Sequence, residues 1–390
     1  MRFKKKSSIK GYYGDTKVEL LSAGQRYFDL LVSLINKAEK SIHLQVYILD
    51  DDETGNMIMD ALIEAHKRGV EVFVLVDSVG SFAFGNNKAN WLSENGIKFR
   101  FFSPIISGTG IHFGRRLHRK VLVVDGHTAV VGGINIADRW RIDKGQEKLW
   151  LDYAVFVQGD IALEIENICM ETWYRKFSKI LRIKRPDLGL KYFQNFTPLV
   201  RVRENDYSRN KRSITRSYKY VFRNAENSIT IAHAYFLPGP FLMNLIKNAI
   251  RRGVAINLVL SKETDTPLFK PATSYLYRKF LKMGINIFEY IPSVVHAKVA
   301  VVDSMWSTVG SHDINTLSTL GLVEMNLDII DSNFAYELQN RLDNIMQNDC
   351  VKVMDEQTQK SVWQRTKEWF AYHTLRLVMG ILVSLNNKIE

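Results

Sequence analysis

Apolar positions along this chain gather in short β-branched runs bounded by turn residues. The two clearest runs are Val121-Leu122-Val123-Val124 and Val299-Ala300-Val301-Val302, and runs of this length and composition predict buried strands. The first is followed by Asp125-Gly126, a hairpin signal, then by a returning strand from Thr128 to Val131 that ends at Gly132-Gly133-Ile134-Asn135. The second repeats the plan with Asp303-Ser304, a strand from Trp306 to Val309, and Gly310-Ser311-His312-Asp313. Returning strands bring these small residues back to the start of the hairpin, where exposed backbone amides can approach an oxyanion closely.

A wider repeat surrounds the hairpins. Residues 38–48 resemble 225–236, and each reads as a helix end leading into a strand. A helical pattern then stops at a basic-Gly-Val break, Lys67-Arg68-Gly69-Val70 or Arg251-Arg252-Gly253-Val254, before another strand; Gly just past a basic last turn is a helix stop. The order strand, helix, strand, hairpin occurs in both halves and predicts an α/β sandwich in each. Arg185-Pro186-Asp187-Leu188-Gly189 marks the break, giving domains 1–188 and 189–355 and a C-terminal amphipathic helical tail, 356–390.

Each hairpin opens on His-x-Lys-x-x-x-x-Asp: His118, Lys120 and Asp125, then His296, Lys298 and Asp303. Among nine histidines, an accidental match is expected roughly a few hundredths of a time per chain, so two matches mark a repeated half-site. Residues two apart in a strand share a face, which sets imidazole beside ammonium in each copy. Two such half-sites imply one composite active site. A phosphodiester is an anion that repels nucleophiles; its cleavage needs cations on the nonbridging oxygens, a nucleophile and an acid for the leaving alkoxide. Two His/Lys pairs supply all three, because a neutral imidazole can attack phosphorus while a protonated one releases the leaving oxygen. The scheme calls for no metal or cofactor. Asp125 and Asp303, the motif acids, read as structural pins of the hairpin turns.

Composition narrows the partners. The net charge of +12 favours something anionic: nucleic acid, an acidic membrane surface or a phosphate ester. Cys169 and Cys350, the two cysteines, form no disulfide framework or metal spacing and suit a reducing compartment. The basic N-terminus has no apolar segment after it that would make a signal peptide. No stretch reaches the roughly 18 apolar residues of a membrane span, so the expected membrane contact is peripheral. Two basic aromatic stretches could lie in an interface: one from Trp173 to Arg185, and one from Trp363 to Leu385 that carries Trp369, Phe370, Tyr372, Arg365, Lys367 and Arg376. Ordinary surface helices would look the same.

The paired motifs, the Gly-Gly-Ile-Asn and Gly-Ser segments and the duplicated halves resemble the phospholipase D superfamily over nearly the whole chain. Within it, Glu19-Leu20-Leu21-Ser22-Ala23-Gly24, His118-Arg119-Lys120, Ala234-Tyr235-Phe236-Leu237-Pro238-Gly239 and Phe288-Glu289-Tyr290 resemble bacterial cardiolipin synthases of the shorter form. The resemblance implies two pseudo-symmetric α/β sandwich domains with the active site at their interface. It implies His118 as nucleophile and His296 as general acid, although the reverse order fits the same residues. Lys120 and Lys298 would hold the phosphate with Asn135 and Ser311 as polar companions, and Asp152 and Glu324 would orient the histidines. The implied substrates are phosphatidylglycerol and phosphatidylethanolamine at the cytoplasmic side of an anionic membrane.

Arg115 and Arg116, just ahead of His118, are placed to draw in an anionic headgroup. Asp313 departs from the family's usual Asn, and an acid beside a phosphate is unfavourable unless paired or turned away. His312, His127 and His112 read as incidental. The same motif also serves hydrolytic phospholipases and nucleases. Nuclease members are commonly single-motif chains that dimerise, which disfavours nucleic acid here, and the intact His/Lys pairs disfavour an inactive binding protein.

Overall fold

The computed structural model describes residues 11–104, 106–107, 110–111, 115–141, 149–174, 198–358 and 360–386. The expected break at 188 lies outside them, as do His112 and most of the basic stretch that begins at Trp173.

The N-terminal half builds a seven-stranded sheet from β1 (Lys17–Ser22), β2 (Ser41–Val46), β3 (Glu71–Asp77), β4 (Lys98–Phe102), β5 (Lys120–Val124), β6 (Thr128–Gly132) and β7 (Tyr153–Gln158), in spatial order β1-β7-β6-β5-β2-β3-β4. The C-terminal half repeats this plan with β8 (Leu199–Asp206), β9 (Ser228–His233), β10 (Ala255–Ser261), β11 (Asn286–Tyr290), β12 (Lys298–Val302), β13 (Trp306–Gly310), β14 (Leu322–Ile330) and β15 (Cys350–Lys352). Its core runs β8-β14-β13-β12-β9-β10-β11-β15. In each sheet the motif hairpin, β5-β6 or β12-β13, pairs antiparallel with the strand that opens a parallel crossover, β2-β3 or β9-β10. The repeat legible in sequence is therefore a repeat of topology.

Alternation along β5 and β12 divides the packing. Leu122 and Val124 face one core of the N-terminal half, with Phe28, Leu62 and Val74. Val121 and Val123 face a second core shared with Val299, Val301, Leu327 and Ile329 of the other half. Two helices seal that shared core, α4 (Asp160–Tyr174) through Ile161, Ile165 and Cys169, and α9 (Ser332–Asn348) through Phe334, Leu338 and Leu342. Because one apolar layer belongs to both sheets, the halves are packed as a single body, and the ends of β5 and β12 meet.

The hairpin turns are pinned in the same way. Asp125 and Gly126 both have positive φ, as do Asp303 and Ser304, the backbone a two-residue turn needs. The Asp125 carboxylate accepts from the amides of Glu39, Lys40 and Ser41, and Asp303 accepts from Glu226, Asn227 and Ser228. Each motif aspartate thus ties its hairpin to the start of the neighbouring strand. A whole strand separates it from its histidine, so neither acid reaches the cleft.

Candidate active site

The segments flanking the two histidines pair across the halves. Arg116 and Leu117 run parallel to Leu322 and Val323, and the amide of His118 donates to the carbonyl of Val323. Leu151 bridges Val295, and the amides of His296 and Ala297 both donate to the carbonyl of Leu151. This exchange sets Glu324 one residue past the contact to His118, and Asp152 one residue past the contact to His296. The two carboxylates consequently cross. His118 Nδ1 lies 3.0 Å from Glu324 Oε1, and His296 Nδ1 lies 2.6 Å from Asp152 Oδ2.

His118 Nδ1 also meets the carbonyl oxygen of Ser311 at 3.1 Å. A carbonyl can only accept, so Nδ1 carries the hydrogen and Nε2 holds the lone pair. Lys120 Nζ donates to the carbonyl of His118 at 2.7 Å and Lys298 Nζ to that of His296 at 2.5 Å, so each ammonium is folded back beside its imidazole. The cleft, about 330 Å³, is lined by Tyr47, His118, Trp150, Tyr235, His296 and Asp313 among others. Trp140 and Trp150 pack on His296 with centroids 5.3 and 5.8 Å away, and Tyr47 packs on His118 at 5.0 Å.

Protons are unevenly distributed. Burial pushes Asp152 up to about 7 despite the nearby Lys298, so the His296–Asp152 pair holds a titrating proton near neutrality. For Glu324 burial also acts upward, but contacts with His312 and His118 outweigh it and leave the carboxyl below its ordinary value. Burial, with the lysines next to them, lowers both motif imidazoles, His296 the further. Burial and Lys298 bring Lys120 down to about 7.

The amide of Asn135 occupies a position between strands that Asp313 repeats. Asn135 Oδ1 accepts from the amide of Ile48, and Asp313 Oδ1 from that of Tyr235, the corresponding residue. Among the described residues Asn135 Nδ2 has no hydrogen-bond partner, and the side chain is fully buried. Asp313 instead places a carboxylate 3.5 Å from Lys298 Nζ and 3.8 Å from His233 Nδ1. Burial raises Asp313, but Lys298 and His233 outweigh that and bring it to about 2. The acid that looked out of place in the sequence is paired.

Several expectations need correction. Ser311 Oγ is not free for a phosphate, because its hydroxyl donates to the carbonyl of Met325 at 3.4 Å while accepting from the amide of Met325 at 3.2 Å; its contribution to the site is its carbonyl. Arg115 is held in a two-pronged ion pair with Asp206, Nε to Oδ1 at 3.0 Å, which compensates its charge. Arg116 does line the cleft. It is nonetheless buried, donating to Ser78 Oγ and the Ser103 carbonyl and lying 3.8 Å from Asp77, so neither arginine is a free lure for a headgroup. His312 is not incidental: its Nδ1 bonds Glu324, making that carboxylate a bridge between two imidazoles. His127 sits outside the site, against Gln158.

Sequence reasoning missed Asp77, Tyr47, Trp150 and His233. Asp77 accepts from the amides of Leu117 and Val79 and so fixes the approach to His118. These residues come from turns and strand ends whose positions depend on the docking of the halves, and no local pattern marks them. The signal for His312 and Asp313 was present, since they stand where the first half has Ile134 and Asn135.

The family model described as cardiolipin synthase, phospholipase D-like domain, matches residues 31–173 and 218–346. Cardiolipin synthase B of Salmonella typhimurium (strain LT2) is 32% identical over 378 residues, covering 94% of this chain and 89% of that protein. The major cardiolipin synthase of Bacillus subtilis (strain 168) is 28% identical over 359 residues, covering 91% and 74%. Among solved structures, phosphatidylserine synthase of Haemophilus influenzae superposes with a TM-score of 0.71 at 14% identity, covering 94% of this chain and 95% of that one, which is a likeness of fold. With the family model and the Salmonella relative each spanning most of its length, the chain belongs to the cardiolipin synthase family with phospholipase D-like domains.

Proposed function

We propose that the chain is a cardiolipin synthase, a phosphatidyltransferase that works through a phosphohistidine. The observation that carries this reading is the crossed pair of His–carboxylate contacts, which builds one phosphodiester site from both halves. His118 is the nucleophile: its Nδ1 hydrogen is held by Glu324 and Ser311, so the Nε2 lone pair attacks phosphorus. The P–O bond to the headgroup glycerol breaks as the His296–Asp152 pair delivers its proton to the departing oxygen. Phosphatidyl-His118 then accepts the glycerol hydroxyl of a second phosphatidylglycerol. That hydroxyl returns its proton to His296, its oxygen attacks phosphorus, and the P–N bond breaks to release cardiolipin and neutral His118. Lys120, Lys298 and Asn135 Nδ2 hold the nonbridging oxygens throughout. The aromatic walls of the cleft limit the water that would turn transfer into hydrolysis.

The substrates would be drawn from the cytoplasmic face of an anionic membrane, with phosphatidylethanolamine as a second possible donor. No helix among the described residues is long and apolar enough to cross a membrane. The test is lipid mass spectrometry after incubating the protein with phosphatidylglycerol vesicles, with and without phosphatidylethanolamine, beside His118→Ala. Cardiolipin formed only by the intact protein supports the reading and names the donor. Phosphatidic acid alone would make the chain a hydrolase.

A further inference from the structure

The last helix, α10 (Val362–Asn386), has two apolar faces. One is packed: Ala371, Leu375 and Met379 join the core of the C-terminal half, and Tyr372 stacks on Tyr275 of α7 (Phe269–Lys282) at 4.9 Å. On the other, Trp363, Trp369, Phe370, Leu377, Val378 and Ile381 stand in solvent, Trp363 at 67% and Leu377 at 65% exposure. Trp363, Phe370 and Leu377 are spaced by seven residues, two turns of helix, so they form one stripe. Leaving that much large apolar side chain in water along one helix is the mark of a surface that is covered in use.

Two further observations say what covers it. Beside the Tyr275–Tyr372 stack is a depression lined by Lys247, Arg278, Lys279 and Lys282, with no acidic residue in its lining. None of the four cations has an ion-pair partner among the described residues. At the other end of α10, Leu382 enters the wall of the catalytic cleft together with Leu317 and Leu322. An apolar stripe with tryptophans, an adjoining unpaired basic surface and direct continuity with a phosphodiester site match an anionic lipid surface better than a protein partner, whose interface would not need to open into the cleft.

We infer that α10 is the membrane-docking element: its Trp363–Ile381 stripe lies in the interfacial layer of an anionic bilayer, Lys247 of the helix Pro240–Arg251 meets the headgroups together with Arg278, Lys279 and Lys282 of α7, and Leu382 brings the cleft mouth to the lipid plane. The inference rests on the phospholipid substrate proposed above and identifies how that substrate reaches the site.

The test uses the full chain and vesicles of phosphatidylglycerol and phosphatidylcholine with brominated acyl chains. Bromine is expected to quench tryptophan fluorescence, and Trp363→Phe with Trp369→Phe is expected to remove most of that quenching. Replacing Leu377 and Ile381 by serine should weaken vesicle binding at least about tenfold, by loss of buried apolar area. Charge reversal at Lys247, Arg278 and Lys279 should weaken it most on vesicles rich in phosphatidylglycerol. Turnover of soluble glycerophosphoglycerol by the Leu377/Ile381 variant should match that of the unaltered chain, because neither residue lines the cleft.

Unquenched Trp363 and Trp369, native vesicle binding by the serine variant, or a native dimer that the serine variant splits into monomers would each overturn the inference; the last would make the stripe a contact between copies. Docking that behaves as expected without cardiolipin formation would leave this inference standing and remove the synthase reading. Cardiolipin formation by a protein whose α10 stays out of the bilayer would do the opposite.

Discussion

The two half-sites share one backbone plan and differ in their acids. Around His118 the carboxylate is Glu324, long enough to reach across and also to bond His312, while the position that corresponds to Asp313 is filled by the neutral amide of Asn135. Around His296 the carboxylate is the shorter Asp152, and the position beside Lys298 carries the charge of Asp313. Asp152 lies so close to Gly133 that a Cβ there would stand 2.2 Å from Oδ1; the corresponding Ser311 of the other half has room for its side chain. A duplicated fold thereby acquires a proton-poor half built around an ionised Glu324 and a proton-holding half built around Asp152. Acid–base transfer requires that inequality.

Removing either imidazole should abolish the comparison altogether. His118→Ala and His296→Ala are each expected to lower the rate of phosphatidyl transfer by at least about 10⁴-fold, comparable to loss of either partner in other paired catalytic units, as measured by cardiolipin formation. Neutralising the carboxylates should separate the halves. His118 keeps the Ser311 carbonyl as a second acceptor, whereas Asp152 is the hydrogen-bond acceptor described at His296 Nδ1. Asp152→Asn should therefore cost about 10³-fold in kcat and Glu324→Gln roughly ten times less; equal losses would break the assignment of roles.

The pH profile sharpens the same contrast. Asp152 and Lys120 both sit at about 7, raised and lowered respectively by burial. The protonated form of each prevails below that value. As pH rises through it, kcat on glycerophosphoglycerol should fall while the Asp152–His296 pair loses its proton, and KM should rise as Lys120 loses its charge. Steady-state kinetics on this non-titrating diester would separate the two effects, and Asp152→Asn should remove the kcat component alone.

Smaller effects follow in stability. Asp313→Asn leaves Lys298 buried without the carboxylate beside it and should lower unfolding free energy by about 3–5 kcal/mol in a denaturant titration, whereas Asn135→Ala, which removes a neutral group, should cost less than half as much. Arg115→Ala, whose charge is already compensated by the buried Asp206 carboxylate, should change KM less than about twofold.

Much of this plan could be read from residues in order along the chain. The hairpins, the helix stops after Lys67 and Arg251 and the His/Lys pairs are local patterns, set by strand alternation and turn chemistry over a few residues. What could not be read was anything decided by the meeting of the halves. Asp152 and Glu324 stand downstream of their own motifs, yet each serves the other histidine, because Leu151 and Val323 exchange backbone pairing across the interface. Arg115 and Arg116 looked like free cations because their acids, Asp206 and Asp77, are remote in sequence. Asp313 looked like a liability because Lys298 and His233 become its neighbours only when β12 and β9 pair.

The central claim is that the phosphatidyl group is carried on the histidine of the proton-poor half. Rapid acid-free quenching during turnover of phosphatidylglycerol, followed by peptide mass spectrometry, would locate it directly. The account predicts a phosphatidyl adduct on the peptide bearing His118 and none on the peptide bearing His296. An adduct on the His296 peptide in place of His118 would contradict it.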